Sequence, residues 1–590
     1  MQGAATRGLR TGVWLVLVAL PACGRVGYAT IDADGTLDAS GLDASGLDAS
    51  GLDASGLDTG ALDTGALDAT PMDAPLDAPS TDAGRPDAGP PMPLLPLGCT
   101  RGALPSSVSL PTVPMVATPP ERRIVSAIDT DALTMALATA MPGDVIELEP
   151  GVTYRSAYVV SRGDVTLRTR GIDDVALPTR IGPADAPSLA RIVTGGALSS
   201  LTIDASNVRV SGLEIATDAL DAPAIVRTGV GRSDILLDRL YVHGSPLRDV
   251  RAGIEIDGPR TTVRRSDVRE IHAMAGPRPA ILLFTCGGPV AIVDNHLEAA
   301  GEGVVLGTEN ALTAASSPHD VAICQNHVTR SLAWYPLDAS YAGIEWPTGP
   351  LIGLYNGERV LVAGNVLERA WESAGGSGAR AIALGPGDFA PAGSAHVSDV
   401  VIAWNHVRDV PEDLSFFAGD AGLAPLARVR VTQSLFEPIS ASRFPADTGR
   451  ILQLLDGPAG RVRDLVIDHV TAPGSIQNGI VAESTATAGE LEVRDSILSL
   501  GQFGFLGGSA EGIAGLAGLH HLALVGRRAA ASYGATSTVV PTLDDVGFVR
   551  TDGIDWALAA TSPFLTTSSS GGAVGCNVAM LRTVLAGVAP

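Results

Sequence analysis

The chain has 590 residues, 64 of them acidic and 40 basic, for a net charge of −24. That balance argues against nucleic acid as a partner, because phosphate binding needs the opposite sign. Every basic residue is Arg, so lysine-base and Schiff-base chemistry are excluded.

Residues 1–22 read as an export signal. Arg7 and Arg10 precede the apolar run Val13–Leu20, which is short for a bilayer span. The stretch "LPAC", Leu20–Cys23, resembles a bacterial lipobox, which implies lipidation of Cys23; the alternative is ordinary cleavage near Ala22 with Cys23 incidental. The expectation is an exported protein, an outer-membrane or cell-surface lipoprotein of a bacterium and otherwise extracellular. It would touch the membrane through lipid only. From 23 to 98 the chain is low in complexity, with "LDASG" repeated four times from Leu37. Between Gly24 and Gly98 there are 13 Asp, no Glu and only Arg25 and Arg85, a net of −11. A period of five suits neither helix nor strand, and one Leu per repeat builds no core. Like charges repel, so a disordered, extended Asp-rich linker is expected.

Residues 99–590 repeat a different pattern, V-x-[IV]-x-x-[NS]-x-[LVF]. It places Ser266, Asn295, Asn326, Asn365, Asn405, Ser434 and Ser496 at equivalent positions, as in "VAIVDNHL" from Val290 and "VAICQNHV" from Val321. Alternating apolar residues read as a strand, and the Asn or Ser two places beyond it as a turn in left-handed or bridge conformation. A second short strand follows, then a Gly-led third such as "GVVL" from Gly303. Copies starting at Val290, Val321, Val360 and Val400 are 31, 39 and 40 residues apart, as expected of one coil per repeat with loop insertions. Stacked coils bury a continuous core, and the Asn and Ser side chains form a ladder. The fold expected is all-β, a single-stranded right-handed parallel β-helix of the pectate-lyase type, which the pattern resembles. An amphipathic helix within an N-terminal cap (about 120–160) covers one end, and a closing segment (about 541–590) follows the last coil. A monomer is expected.

With Cys23 assigned to lipid, four cysteines remain. An even number in an exported chain favours disulfides, and four allow three pairings. Cys99–Cys576, joining the two ends, and Cys286–Cys324, close in sequence, are the expected pairs. No cysteine or histidine spacing suggests zinc, so no metal ligand set is assigned.

Within the β-helix class, residues from about Gly212 to Leu581 are similar to a set of bacterial secreted right-handed β-helix repeat proteins. The resemblance rests on "DRLYVHGSP" (Asp238), "LEAAGEGVVLG" (Leu297), "SPHDVAICQNHVTRSLAW" (Ser317), "ERVLVAGNVLERAW" (Glu358) and "GRILQLLDG" (Gly449). It implies the fold and attaches no established reaction. In this chain Gly353 and Tyr355 stand where charged residues are expected. "RPAILLFTCGGPV" also lacks the Asp, Gln and Asn of the corresponding run.

Two functions follow as expectations. One is a surface-tethered protein that binds, and cleaves in the manner of a lyase, a polysaccharide along the β-helix groove. The other is a non-catalytic adhesion or envelope module. A lyase needs a cation for the uronate carboxylate, a base for the C5 proton and an acid for the leaving oxygen. The dense polar stretch from Asp238 offers His243, Arg248, Arg251 and Glu255, and the resemblance adds Glu302; the competing reading is a solvated face of salt bridges. Calcium, a companion of related lyases that use an Arg or Lys base, is the only cofactor entertained. Trp334, Tyr335, Tyr341 and Trp346 are the candidate sugar-binding aromatics, against packing of their loop on the wall. His296, His327 and His406 follow ladder positions and are expected to stack on one face.

Overall fold

The computed structural model describes residues 95–589, except 175–179, 276–277, 308–315, 374–377, 387–394, 420–423, 440–442, 445–448, 458, 483–489, 507–517, 528–532 and 552–554. The expected export signal, Cys23 and the expected linker up to residue 94 lie outside the described residues.

Among the described residues the chain winds as a right-handed parallel β-helix with three sheets. Sheet A has 14 strands, from Arg123–Ala127 to Leu519–His520, and sheet B also has 14, from Thr153–Arg155 to Thr538–Val540. Sheet C has 11, from Tyr158–Val160 to Asn478–Ala482. One coil shows the unit: Val290–Val293 in sheet A, Asn295 at the corner, His296–Ala299 in sheet B, Val304–Leu306 in sheet C, then His319–Cys324 back in sheet A. Val290 pairs with Val321, Val321 with Val360 and Val360 with Val400, so the uneven repeat lengths are absorbed in loops while the register holds. Inward residues such as Ile292, Ile323 and Leu297 are fully buried in one continuous core. Helix α1, Thr130–Thr139, caps that core with Leu133, Ala136 and Leu137, and its own first turn is capped by Asp129, which accepts from the Ala132 amide.

The corner residues form a ladder. Asn326 is fully buried; its Oδ1 accepts from the Asn295 backbone amide at 3.0 Å and its Nδ2 donates to the Ile292 carbonyl at 2.9 Å. Asn365 and Asn405 repeat this, and Ser266 and Ser434 continue the run at each end through hydroxyls. Ser496 serves the Val470 amide separately. The left-handed conformation, however, belongs to the residue before each ladder position: Asp294, Gln325, Gly364 and Trp404 have φ of 57°, 58°, 68° and 57°. The bend is made one residue early, which leaves the Asn side chain free to turn inward.

The disulfide pattern differs from both expected pairs. Cys99 is bonded to Cys324, with Cα atoms 5.3 Å apart, while Cys286 and Cys576 are free and buried. Cys286 faces the interior of the coil and Cys324 packs on its exterior, so the wall separates them. The Cys576 amide binds Thr471, whose coil lies four strands of sheet A beyond that of Cys324, about 19 Å at the usual strand spacing. Cys99 therefore cannot reach Cys576.

The closing segment follows the last strand of sheet B, Thr538–Val540. It doubles back outside the wall: the Asn577 amide binds Gln433, Gln325 donates to the carbonyl of Val584 at the end of helix α2 (Val578–Val584), and Arg180 donates to the Val588 carbonyl. The N-terminal strap also lies outside. Trp404 donates to the Ala103 carbonyl, Arg430 to Ser107, and the Thr112 amide to Asp320. The strap and the tail meet where Arg101 reaches the Ala586 carbonyl at 3.3 Å.

Candidate functional site

Outward residues on successive strands of sheet C lie in rows about 4.8 Å apart, a geometry that suits a linear polymer. One row runs from Arg227 through Glu255, Leu282 and Val305 to Gly353. Leu282 and Val305 pack with Ala224, Ala252, Phe284 and Tyr355 into an apolar platform. Tyr355 lies over Gly353, where a Cβ would meet its ring at 2.7 Å, so Gly is required for the tyrosine to lie flat.

Two carboxyls flank this platform. Burial pushes Glu255 up to about 7, with Asp257 adding to the effect and the Arg227 guanidinium, 3.1 Å away, only partly offsetting it. Glu302 sits at the turn into Val304–Leu306 and is half-buried. Burial raises its pKa against the fields of Arg330 and Arg278. Arg330 is fully buried and donates to the Ala300 and Gly301 carbonyls at 2.9 Å and to the Gly349 carbonyl, which fixes the turn that carries Glu302. Its Nη1 has no partner among the described residues. Arg278 donates to the Ala273 carbonyl at 2.7 Å and makes no ion pair with a described residue. Burial lowers its pKa, with Glu302 and Asp249 opposing. Further along the face, Arg380 pairs with Glu412 at 3.1 Å.

The residues expected from sequence divide between faces. Arg251, Glu255 and Glu302 lie on sheet C or at its edge. Arg251 is paired with Asp221 at 2.9 Å on open surface. Arg248 occupies the turn before that strand and donates to the Asp218 carbonyl. His243 belongs to sheet B, where it binds Glu214 at 3.0 Å and stacks on Tyr241 at 4.5 Å. The structure thus removes His243 from the group around Glu302. Much of the polar stretch is an ion-pair network at a sheet A corner: fully buried Asp238 binds Arg239, Arg264 and Arg265.

Three of the four expected sugar-binding aromatics are withdrawn from solvent. Trp334, Tyr335 and Trp346 are 3%, 7% and 3% exposed and cluster with Trp371 and Phe444. Trp346 stacks on buried His272 at 4.0 Å, and Tyr335 lies 5.1 Å from both Trp371 and Phe444. These rings pack an inserted loop onto the wall and cannot offer a face to a sugar. Tyr341 alone keeps partial exposure.

His296 and His327 are neighbours on sheet B, but Val366 separates His327 from His406. The three imidazoles therefore do not form one row. The one cluster of metal-type ligands among the described residues is Asp468, His469 and Asp495. Asp468 accepts from His469 at 2.7 Å, and Asp495 accepts from the amide and hydroxyl of Ser569, so these groups already satisfy one another.

Arg278, Arg330 and Tyr355 were not among the residues expected from sequence. Arg278 and Arg330 lie on loops that follow sheet B strands, and Tyr355 follows the sheet C strand Ile352–Leu354, so the winding of the coils brings them together.

No family model and no curated protein matches the chain. Among solved structures it is similar to an alginate lyase from Paenibacillus sp. str. FPU-7, at 14% identity and TM-score 0.27 over 58% of this chain and 97% of that one. It is also similar to the PL6 family alginate lyase AlyGC, at 12% identity and TM-score 0.40 over 77% of this chain and 57% of that one. A third is the pectate lyase Pel9A, at 15% identity and TM-score 0.27, covering 53% of this chain and 78% of the other. The likeness is one of fold.

Proposed function

We propose that the protein binds an acidic polysaccharide along the outer face of sheet C and cleaves it by β-elimination at Glu302. The observation that carries the reading is a half-buried carboxyl with a raised pKa beside Arg278, a cation with no ion-pair partner among the described residues. Arg278 pairs with the uronate carboxylate and so acidifies the adjacent C5–H. Glu302 takes the C5 proton as that C–H bond breaks; its electron pair forms the C4–C5 double bond, the C4–O bond breaks, and Glu302 returns the proton to the departing oxygen. Tyr355, seated on the buried platform, supports the apolar side of the sugar rings. In this reading a lipid on Cys23 and the linker tether the protein at the cell surface.

The test is incubation of the full chain with alginate, pectate and chondroitin, following the ultraviolet absorbance of unsaturated product. Activity on one of these that falls by at least about 100-fold in Glu302→Gln is expected for a proton-transfer group. Wild-type protein inactive on all three sinks the catalytic reading.

A non-catalytic surface module is the second reading. It is favoured by the extent of ion pairing, with Arg251, Arg264, Arg265 and Arg227 all engaged by carboxylates. A glycan array bound by protein without activity selects it.

A further inference from the structure

The corner between sheets A and B carries a second concave site, away from the face of sheet C. A cavity of about 700 Å³ opens there beneath the returning C-terminal tail. Its volume falls within the range of small-molecule sites. Its floor is sheet B, through Asp267, Arg269 and His296, and residues 586–589 line its opposite side.

The charged groups of this cavity are matched within the protein. Arg269 binds Asp267 at 2.6 Å and Arg180 binds Asp294 at 2.6 Å. Asp185 accepts from the Gly182 amide at 2.9 Å, and Arg101 is turned to the Ala586 carbonyl. Three arginines face three aspartates, so no net charge invites an ion.

His296 is held for such a role. Its Nδ1 shares a proton with the His327 Nδ1 at 3.1 Å, and the His327 Nε2 donates to Glu368 at 3.0 Å. Arg408 in turn holds Glu368 at 2.6 Å. The chain of four side chains orients the His296 ring and leaves its Nε2 without a partner among the described residues. Burial, with His327, Arg269 and Arg180 adding to it, pushes His296 down to about 2, so the ring is neutral. Its Nε2 then offers either a lone pair or an N–H, according to which Nδ1 keeps the shared proton.

From the cavity, its balanced charge and the partner-free His296 nitrogen, we infer that this corner binds a small uncharged polyhydroxylated molecule, a neutral mono- or disaccharide. Arginine–aspartate pairs donate and accept together, as vicinal hydroxyls require, and a neutral imidazole adds a directional bond without charge. This inference does not rest on the reading of sheet C, and the two can fail separately.

Saturation-transfer NMR on the full chain with glucose, galactose, N-acetylglucosamine, maltose and cellobiose at millimolar concentration tests it, with galacturonate as the charged comparison. At least one neutral sugar should give transfer, unchanged in Glu302→Gln and weakened about tenfold or more in His296→Phe and Ala589→Trp. Ala589 lines the side opposite sheet B near the chain end, so that variant decides the matter if His296→Phe loses its circular dichroism. No transfer to any neutral sugar, transfer to galacturonate alone, or binding insensitive to both substitutions overturns the inference.

Discussion

Asn326 shows how one side chain does the work of a missing strand. At the corner the backbone leaves sheet A before it has entered sheet B, so amides and carbonyls would be buried without partners. The Asn side chain supplies both donor and acceptor to neighbouring coils. Asn326→Ala should cost about 1–3 kcal/mol through groups left unsatisfied, measured by chemical denaturation. A loss within error would show that water replaces the amide. Asp413 is the opposite case: it is buried in the wall, and one carboxyl oxygen has no partner. Burial, reinforced by Glu412, pushes its pKa well above 3.8, so the folded state keeps a proton that the unfolded chain releases. Stability from this group is fully present below the unfolded value and declines as pH rises towards the folded one. Asp413→Asn should flatten the fall in Tm between acid and neutral pH; an unchanged slope would place the cause elsewhere.

At the scale of elements, the outer row of sheet B couples three coils through His327, Glu368 and Arg408. Burial alone would raise Glu368, but the His327 hydrogen bond and the charges of His327, Arg408 and Arg369 hold it down to about 2. A depressed folded value means that the contribution is present above the unfolded pKa of 4.5 and is lost as pH falls towards 2. Glu368→Gln should therefore destabilise at neutral pH and leave the acid transition shallower; an identical acid midpoint would contradict it. The aromatic loop was ambiguous at this scale. Its sequence, "LAWYPLDASYAGIEWP", suits a sugar platform and a packed insertion equally. Trp371 and Phe444, contributed by the loops of later coils, decide the question by covering the rings.

For the whole molecule, the two outer segments matter most. The strap is fixed to the middle of the solenoid through Cys99–Cys324, and the tail crosses the ladder corner to meet it. A cross-link spanning 225 residues restricts the unfolded chain strongly, by roughly 5.4 kcal/mol in the chain-entropy account. Cys324→Ser should lower Tm markedly, and reductant should lower that of the wild type to a similar value. Non-reducing peptide mapping should recover the 99–324 pair; recovery of 286–324 would refute the arrangement.

The solenoid was legible because its signal is local and repeated. "VAIVDNHL" and "VAICQNHV" each carry an inward pair, a corner and a second strand, and stacking identical units needs no further information. Which outward residues share a face was not legible, since that depends on loop lengths that shift sequence position without shifting register. Hence His243 and Glu302 read as partners and lie on different sheets, while Arg278 and Arg330, which no sequence pattern singles out, both act on the Glu302 carboxyl. The cysteine pairing failed for the same reason. Which side of the wall a residue faces is set by parity along a strand, and which coil a tail returns to is set only when the whole chain has wound.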